Sequence, residues 1–374
     1  MTGASSSDHP ANERQTAADR PGVAQPVPLR PVPAQPWNRI ALAALILFLA
    51  LLGAWEWYWR AIGGAPPGIR NTDALWAIQR RRIDAGEGNA TVLIGSSRVF
   101  FDVQLPVWER LDGRRPIQLA FEGTSPLLFV EDLAADTKFT GRLLIEITPY
   151  VFFGAHQRHG TAIRYWRDES PAQRAGQWLS MHFVEPFMAF YDPDFALATV
   201  LKRQPWPDRP GRDWPADVRK LSVSEADRNS RLWDKVETDL EYRQIARDRW
   251  ASAFVARDDD PPPAQVEKTI AAQIERTAAA VRTLRARGVA VLFVRPPSSG
   301  PFLAFEDAKY PRARTWDVLL EASGAPGIHF EDYPELQGFE LPEWSHVATS
   351  EEDRFTEALY RIIRRDFWKS DAAQ

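Results

Sequence analysis

The chain has 374 residues, 44% of them apolar, and a formal net charge of −4, enough for one large core with appendages. Acids and bases are interleaved with no basic stripe, so nucleic acid is not an expected partner. With no cysteine, disulfide frameworks, thiolate nucleophiles and Cys-ligated metal sites are excluded, while the redox compartment stays open.

Residues 1–38 are rich in Pro, Ala, Gln and Arg, and the run from Pro26 to Pro33 cannot build a core. A disordered tail is expected. Residues 39–60 follow as an expected transmembrane anchor. Ile40 to Ala54 carries no charge, and Trp37 and Arg39 before it and Trp55, Trp57, Tyr58, Trp59 and Arg60 after it resemble interfacial belts. The strictly apolar part is shorter than the ~20 residues of a usual span, but the aromatic flanks extend it. A cleaved signal peptide is the rival reading. The long preceding tail and the lack of a small-x-small site after Ala54 favour an uncleaved anchor. Arginines on both sides, Arg14 to Arg39 and Arg60 to Arg82, leave the orientation open on charge alone.

From residue 70 to 374 one α/β domain is expected. Asp73 to Ile83 reads as a short helix, with Arg80–Arg82 on a solvated face. Short apolar runs then recur at Val92–Ile94, Ile117–Phe121, Leu143–Thr148, Val289–Val294 and Ile328–Phe330, with helical patterns between most of them. This alternation predicts a three-layer, doubly wound, parallel five-stranded sheet. Ser125-Pro126 opens a helix that Gly141 closes, and Gln265 to Arg287 forms a long amphipathic helix ending at Gly288. Thr349 and Glu352 have capping-box spacing before a last helix that buries Phe355, Leu359, Ile362 and Ile363. Residues 154–262 interrupt the alternation after the third strand, so this helical insertion should hang over the carboxyl edge of the sheet. Its Trp166, Trp178, Trp206, Trp214, Trp233 and Trp250 suit either a sugar-stacking platform or core filling.

Ligands of open parallel sheets sit at the carboxyl ends of the strands. Two polar motifs are placed there. Val92-Leu93-Ile94-Gly95-Ser96-Ser97-Arg98 is a buried strand running into a tight turn, and Leu341-Pro342-Glu343-Trp344-Ser345-His346-Val347 is a loop between the last strand and the last helix. A carboxylate three residues before an imidazole can fix its tautomer, so Ser97, His346 and Glu343 are the candidate nucleophile, base and acid. Asp332 is the fallback acid. Arg98 and Arg295 are candidate substrate-binding cations, Arg295 at the pocket rim. His156, with His159, is a candidate for substrate contact or a metal, although a solvated loop is the commoner outcome for such a pair. No metal or other cofactor is otherwise expected.

Together these motifs resemble the SGNH, or GDSL-type, hydrolases, in a membrane-anchored variety tied to envelope polysaccharides, over roughly residues 90 to 365. The nucleophile block Gly-Asp-Ser corresponds to Gly95-Ser96-Ser97, the second-block glycine to Gly123, and the last block Asp-x-x-His to Glu343-Trp344-Ser345-His346. Ser96 replaces the family's first-block Asp. The third-block Asn has no counterpart in Leu144–Tyr150, where Thr148 is the candidate replacement. The resemblance implies that Gly123 and Ser97 amides, with Thr148, hold an oxyanion while Ser97 carries an acyl group. Water as acceptor makes an esterase, and a sugar hydroxyl makes an O-acyltransferase. The implied partners are an envelope glycan or acylated carbohydrate, the membrane through one helix and, for a transferase, a membrane-bound acyl donor. The implied location is the bacterial inner membrane, single-pass, with the main domain extracytoplasmic. The alternative is a non-catalytic relative that binds polysaccharide or scaffolds export.

Overall fold

A computed structural model describes residues 35–204, 219–255 and 260–368; nearly all of the tail expected over 1–38 lies outside them. The chain divides into two units, at Ala54 and Trp55. The first is described from residue 35 and consists of the opening turns of one helix, Trp37–Ala61, along which Leu45, Leu47, Phe48 and Leu51 are exposed. By length and composition this helix can cross a membrane.

The second unit is α/β. Its strands are β1 (Thr91–Ile94), β2 (Ile117–Gln118), β3 (Arg142–Glu146), β4 (Ser222–Ser224), β5 (Ser230–Leu232), β6 (Ala290–Arg295) and β7 (Gly327–His329). Five of them form one all-parallel sheet in the order β2-β1-β3-β6-β7, and β4 and β5 make a separate antiparallel pair. The sheet strands lack alternation because both of their faces are covered. Val92, Ile94, Leu143, Ile145, Val291 and Phe293 share a cluster with Trp76, Phe129, Val281 and Leu319. The intervening Leu93, Leu144 and Leu292 pack with Phe100, Trp108, Phe355 and Leu359.

Several local expectations are corrected, each by a tertiary partner. The helix after Ser125-Pro126 is Leu127–Ala135, without a side-chain cap, and stops well before Gly141. Gly141 serves instead a close backbone approach, since a Cβ there would lie 2.0 Å from the Ala90 carbonyl oxygen. Arg80–Arg82 is not a solvated face. Arg80 is buried and pairs with Asp132 (2.9 Å) and Asp136 (2.6 Å) beneath the Trp166 ring, while Arg81 pairs with Glu169 and Arg82 with Glu87. The described tryptophans of the insertion do not share one role. Trp233 is core and Trp166 packs on Arg80; Trp178 is exposed, Trp250 lines the site, and Trp206 and Trp214 lie outside the described residues.

The expected capping box does not form either. The last helix begins at Glu352, and the Thr349 hydroxyl donates to the Leu232 carbonyl. The buried Glu352 carboxylate accepts from Leu232 N–H at 2.7 Å and Gln104 Nε2 at 3.0 Å, tying this helix to β5. Burial pushes the Glu352 carboxyl up to about 9, against the pull of the Leu232 N–H and the Arg231 charge. A folded-state value above the unfolded one means stability is complete below the ordinary carboxylate range and is lost as pH rises toward 9. Between pH 5 and 9, the unfolding free energy of Glu352→Gln is therefore expected to fall less steeply than that of the parent chain, by up to about 1.4 kcal/mol per pH unit. Chemical denaturation at a series of pH values measures this slope.

Candidate active site

The turn that leaves β1 begins at Gly95, whose φ is +155°. A Cβ there would lie 2.5 Å from Glu146 Cβ, so only glycine lets β1 leave the sheet this close to β3. Ser96 is extended, and its N–H donates to Glu146 Oε2 at 2.5 Å. That bond turns the chain so that Ser97 opens the helix Ser97–Asp102, with its hydroxyl at the carboxyl edge of the sheet.

Across that edge, the loop before the last helix is held by several anchors. Arg247 donates to the Pro342 carbonyl (2.6 Å), Val347 N–H donates to Asp102 (3.1 Å), and Trp344 takes a left-handed φ of +75° with its ring packed on Gly300. The Ser97 hydroxyl donates to His346 Nε2 at 2.8 Å, and His346 Nδ1–H donates to Glu343 Oε1 at 2.7 Å. Oε1 also accepts His346 N–H at 2.7 Å, and Oε2 accepts the Trp250 indole N–H. His346 and Glu343 are buried, and the imidazole packs on Phe101 with centroids 4.8 Å apart. Burial raises the Glu343 carboxyl, but His346, by charge and hydrogen bond, and Trp250 outweigh it and hold the group below its ordinary value. A carboxylate on Nδ1 leaves Nε2 as the acceptor that a hydroxyl nucleophile needs.

Gly123, in the left-handed region at φ +61°, lines the same cavity, and its N–H donates to no group among the described residues. Ser97 N–H, at the first helical position, has no intrahelical acceptor. Arg158 lies over Gly123, its Nε 3.2 Å from where a Cβ would be. Thr148, expected as an oxyanion donor, is committed elsewhere. Its hydroxyl donates to Glu146 Oε1 at 2.5 Å and sits 2.8 Å from the Ser96 hydroxyl. Burial raises the Glu146 carboxyl, opposed by the Thr148 and Ser96 hydrogen bonds and the Arg98 charge.

Arg98 and Arg295, expected as substrate-binding cations, are not among the residues that line the cavity. Both are buried and converge on Glu306, Arg98 Nη2 at 3.1 Å and Arg295 Nη2 at 2.8 Å, while Arg98 Nε donates to the Ser345 hydroxyl at 3.3 Å. Their charge is consumed in a buttress beneath the histidine loop. Asp332 is exposed and paired with Arg312 at 2.7 Å, away from His346. His156 does line the cavity, against Tyr150; burial first, then Arg158 and Lys309, depress its basicity. His159 stacks on Phe121 at 4.3 Å and faces Asp73 at 3.8 Å. No metal-holding group of His, Asp and Glu occurs among the described residues.

The cavity, about 440 Å³, is lined by Ser97, His346, Gly123, Tyr150 and Phe302 together with insertion residues such as Tyr191 and Trp250. Sequence reasoning misses Glu146 and Glu306, and it marks Trp250 only as one of the tryptophans of the insertion. Only Trp250, within the Trp-rich insertion, carried a signal. No protein-family model matches the chain, and no curated protein is significantly similar to it.

Proposed function

We propose that this protein is a serine-dependent acyl hydrolase or O-acyltransferase, built as a three-layer, doubly wound domain like the SGNH hydrolases and anchored in the bacterial inner membrane with this domain extracytoplasmic. The observation that carries the reading is the unbroken hydrogen-bonded chain from Ser97 through His346 to Glu343 at the wall of a cavity. His346 takes the Ser97 proton as Oγ attacks an ester carbonyl, Glu343 stabilises the imidazolium, and the Gly123 and Ser97 amides receive the oxyanion. His346 then returns the proton to the leaving alcohol, and water or a sugar hydroxyl takes the acyl group from Ser97. The substrate class is an acylated envelope glycan or glycolipid, with a membrane-bound acyl donor if the acceptor is a sugar.

A serine-directed phosphonate tests this on the full chain. Labelling at Ser97 that disappears in Ser97→Ala and His346→Ala is expected. The commitment of Thr148 to Glu146, with no third-block Asn, favours a second reading, a non-catalytic binding or export scaffold; an unlabelled Ser97 with intact glycan binding selects it. Trp250→Phe removes the indole donor to Glu343 and should raise that carboxyl toward its ordinary value. The acid limb of the kcat/KM profile should then move to higher pH, with a smaller loss at pH 8 than at pH 5.

A further inference from the structure

The residues that follow the apolar run do not project freely. Trp55 Nε1 donates to the Phe195 carbonyl (3.1 Å), Glu56 accepts the N–H groups of Ala189 (2.6 Å) and Phe190 (2.9 Å), and Arg60 donates to the Pro186 carbonyl (3.3 Å). The Trp59 ring packs on Phe195 with centroids 5.2 Å apart. Residues 186–195 of the insertion are thus fastened to a segment that starts one residue beyond Ala54. A helix rises ~1.5 Å per residue, so fifteen residues from Ile40 to Ala54 cover only ~22 Å of a hydrocarbon zone ~30 Å thick. A span centred on that run therefore draws Trp55–Arg60, and whatever is bound to them, to the hydrocarbon edge and the headgroup region just beyond it.

This strip and the helix end just before it expose large apolar side chains. Phe183 is 60% exposed, Phe187 62% and Phe190 40%, and on the helix itself Trp57 is 65% and Tyr58 47% exposed. Phe187 follows the Pro186 that holds Arg60, and Phe190 carries one of the amides that hold Glu56. Exposed aromatics concentrated at the end of an apolar helix are what a bilayer interface accommodates and water does not. The inner side of this strip is a wall of the cavity, where Arg60, Glu185, Ala189 and Tyr191 line it together with Ser97 and His346.

We infer that residues 183–190, with Trp57 and Tyr58, form a collar seated in the lipid headgroup layer, and that the Ser97 cavity is supplied from the bilayer by an amphiphilic acyl ester whose tail stays in the lipid. The second clause rests on the acyl-transfer reading; the first does not. The cysteine-free chain allows a direct test. Phe187→Cys and Phe190→Cys, with Arg314→Cys as a control at an exposed site, are labelled with bimane in the full chain and reconstituted in phosphatidylcholine–phosphatidylglycerol vesicles carrying a 5-doxyl lipid. Quenching at 187 and 190 at least twofold stronger than at 314 is expected. Equal quenching overturns the collar, and so does chain-to-chain proximity of spin labels at 187 without lipid quenching, which assigns the face to a second copy. The Phe187→Ser/Phe190→Ser double variant should raise KM several-fold for a long-chain ester embedded in vesicles and leave KM for p-nitrophenyl acetate unchanged. Equal effects on both esters, or none on the embedded one, overturn the lipid-borne substrate. A parent chain inactive on both overturns acyl transfer and the substrate clause with it, while quenching still decides the collar.

Discussion

Ser97→Ala is expected to lower kcat/KM for p-nitrophenyl acetate by about 10⁴-fold or more, with the denaturation midpoint nearly unchanged. Among the described residues the half-buried Ser97 side chain makes one hydrogen bond, to His346, so its removal costs little packing. On the acyl-transfer reading it deletes the oxygen that the imidazole is placed to activate. His346→Ala should lose as much, because the hydroxyl is a poor nucleophile without a base. The double variant should be no worse than either single one, since residues that act as a unit lose their effect together. Residual turnover then measures what the Gly123 and Ser97 amides and the cavity contribute without covalent chemistry. Single-turnover and steady-state rates on the three variants check this; a Ser97→Ala chain within tenfold of the parent rules out Ser97 as nucleophile.

The sheet was legible because burial on both faces writes itself into the chain as short apolar runs without alternation, and Val92–Ile94 or Leu143–Ile145 needs no other context. The residues of the hydrogen-bonded chain were legible for a related reason. Ser97 sits in the turn that leaves the first run and His346 in the loop between the last run and the last helix, so the two, 249 positions apart, had a common edge as their destination. What was not legible is where a charged side chain goes once that edge is built. Arg98 stands beside Ser97 in sequence yet turns away to Glu306, 208 residues on, and Thr148 turns back to Glu146, two residues before it. Local spacing carries no information on such partners. The same holds for Thr349 and Glu352, whose capping spacing is real but whose side chains are recruited by β5.

Glu306→Ala is expected to be the most destabilising single substitution in this set, by about 3–5 kcal/mol, because it leaves two buried guanidinium groups without the carboxylate they share. Arg98 and Arg295 are nearly inaccessible to solvent, and Glu306 is the carboxylate that both reach. Burial raises the Glu306 carboxyl, but Arg295 and Arg98 by charge, with the Ser298 hydroxyl, more than reverse this and hold it below the ordinary value. Its folded-state value is thus depressed, so its stabilisation is present above the ordinary carboxylate range and lost as pH falls through the folded value. Denaturation of Glu306→Ala should therefore differ from the parent most at pH 7 and least in acid. A buried ion cluster is costly to break and often replaceable by apolar side chains, so the triple variant Arg98→Met/Arg295→Met/Glu306→Leu should recover most of the lost stability. On the acyl-transfer reading it should not recover turnover of p-nitrophenyl acetate. Arg98 Nε holds the Ser345 hydroxyl, the neighbour of His346, and methionine cannot, so the imidazole loses the side support that keeps Nε2 on Ser97. If the triple variant is both stable and fully active, the cluster is only a structural filler; if stability returns without activity, its role is to aim the histidine loop.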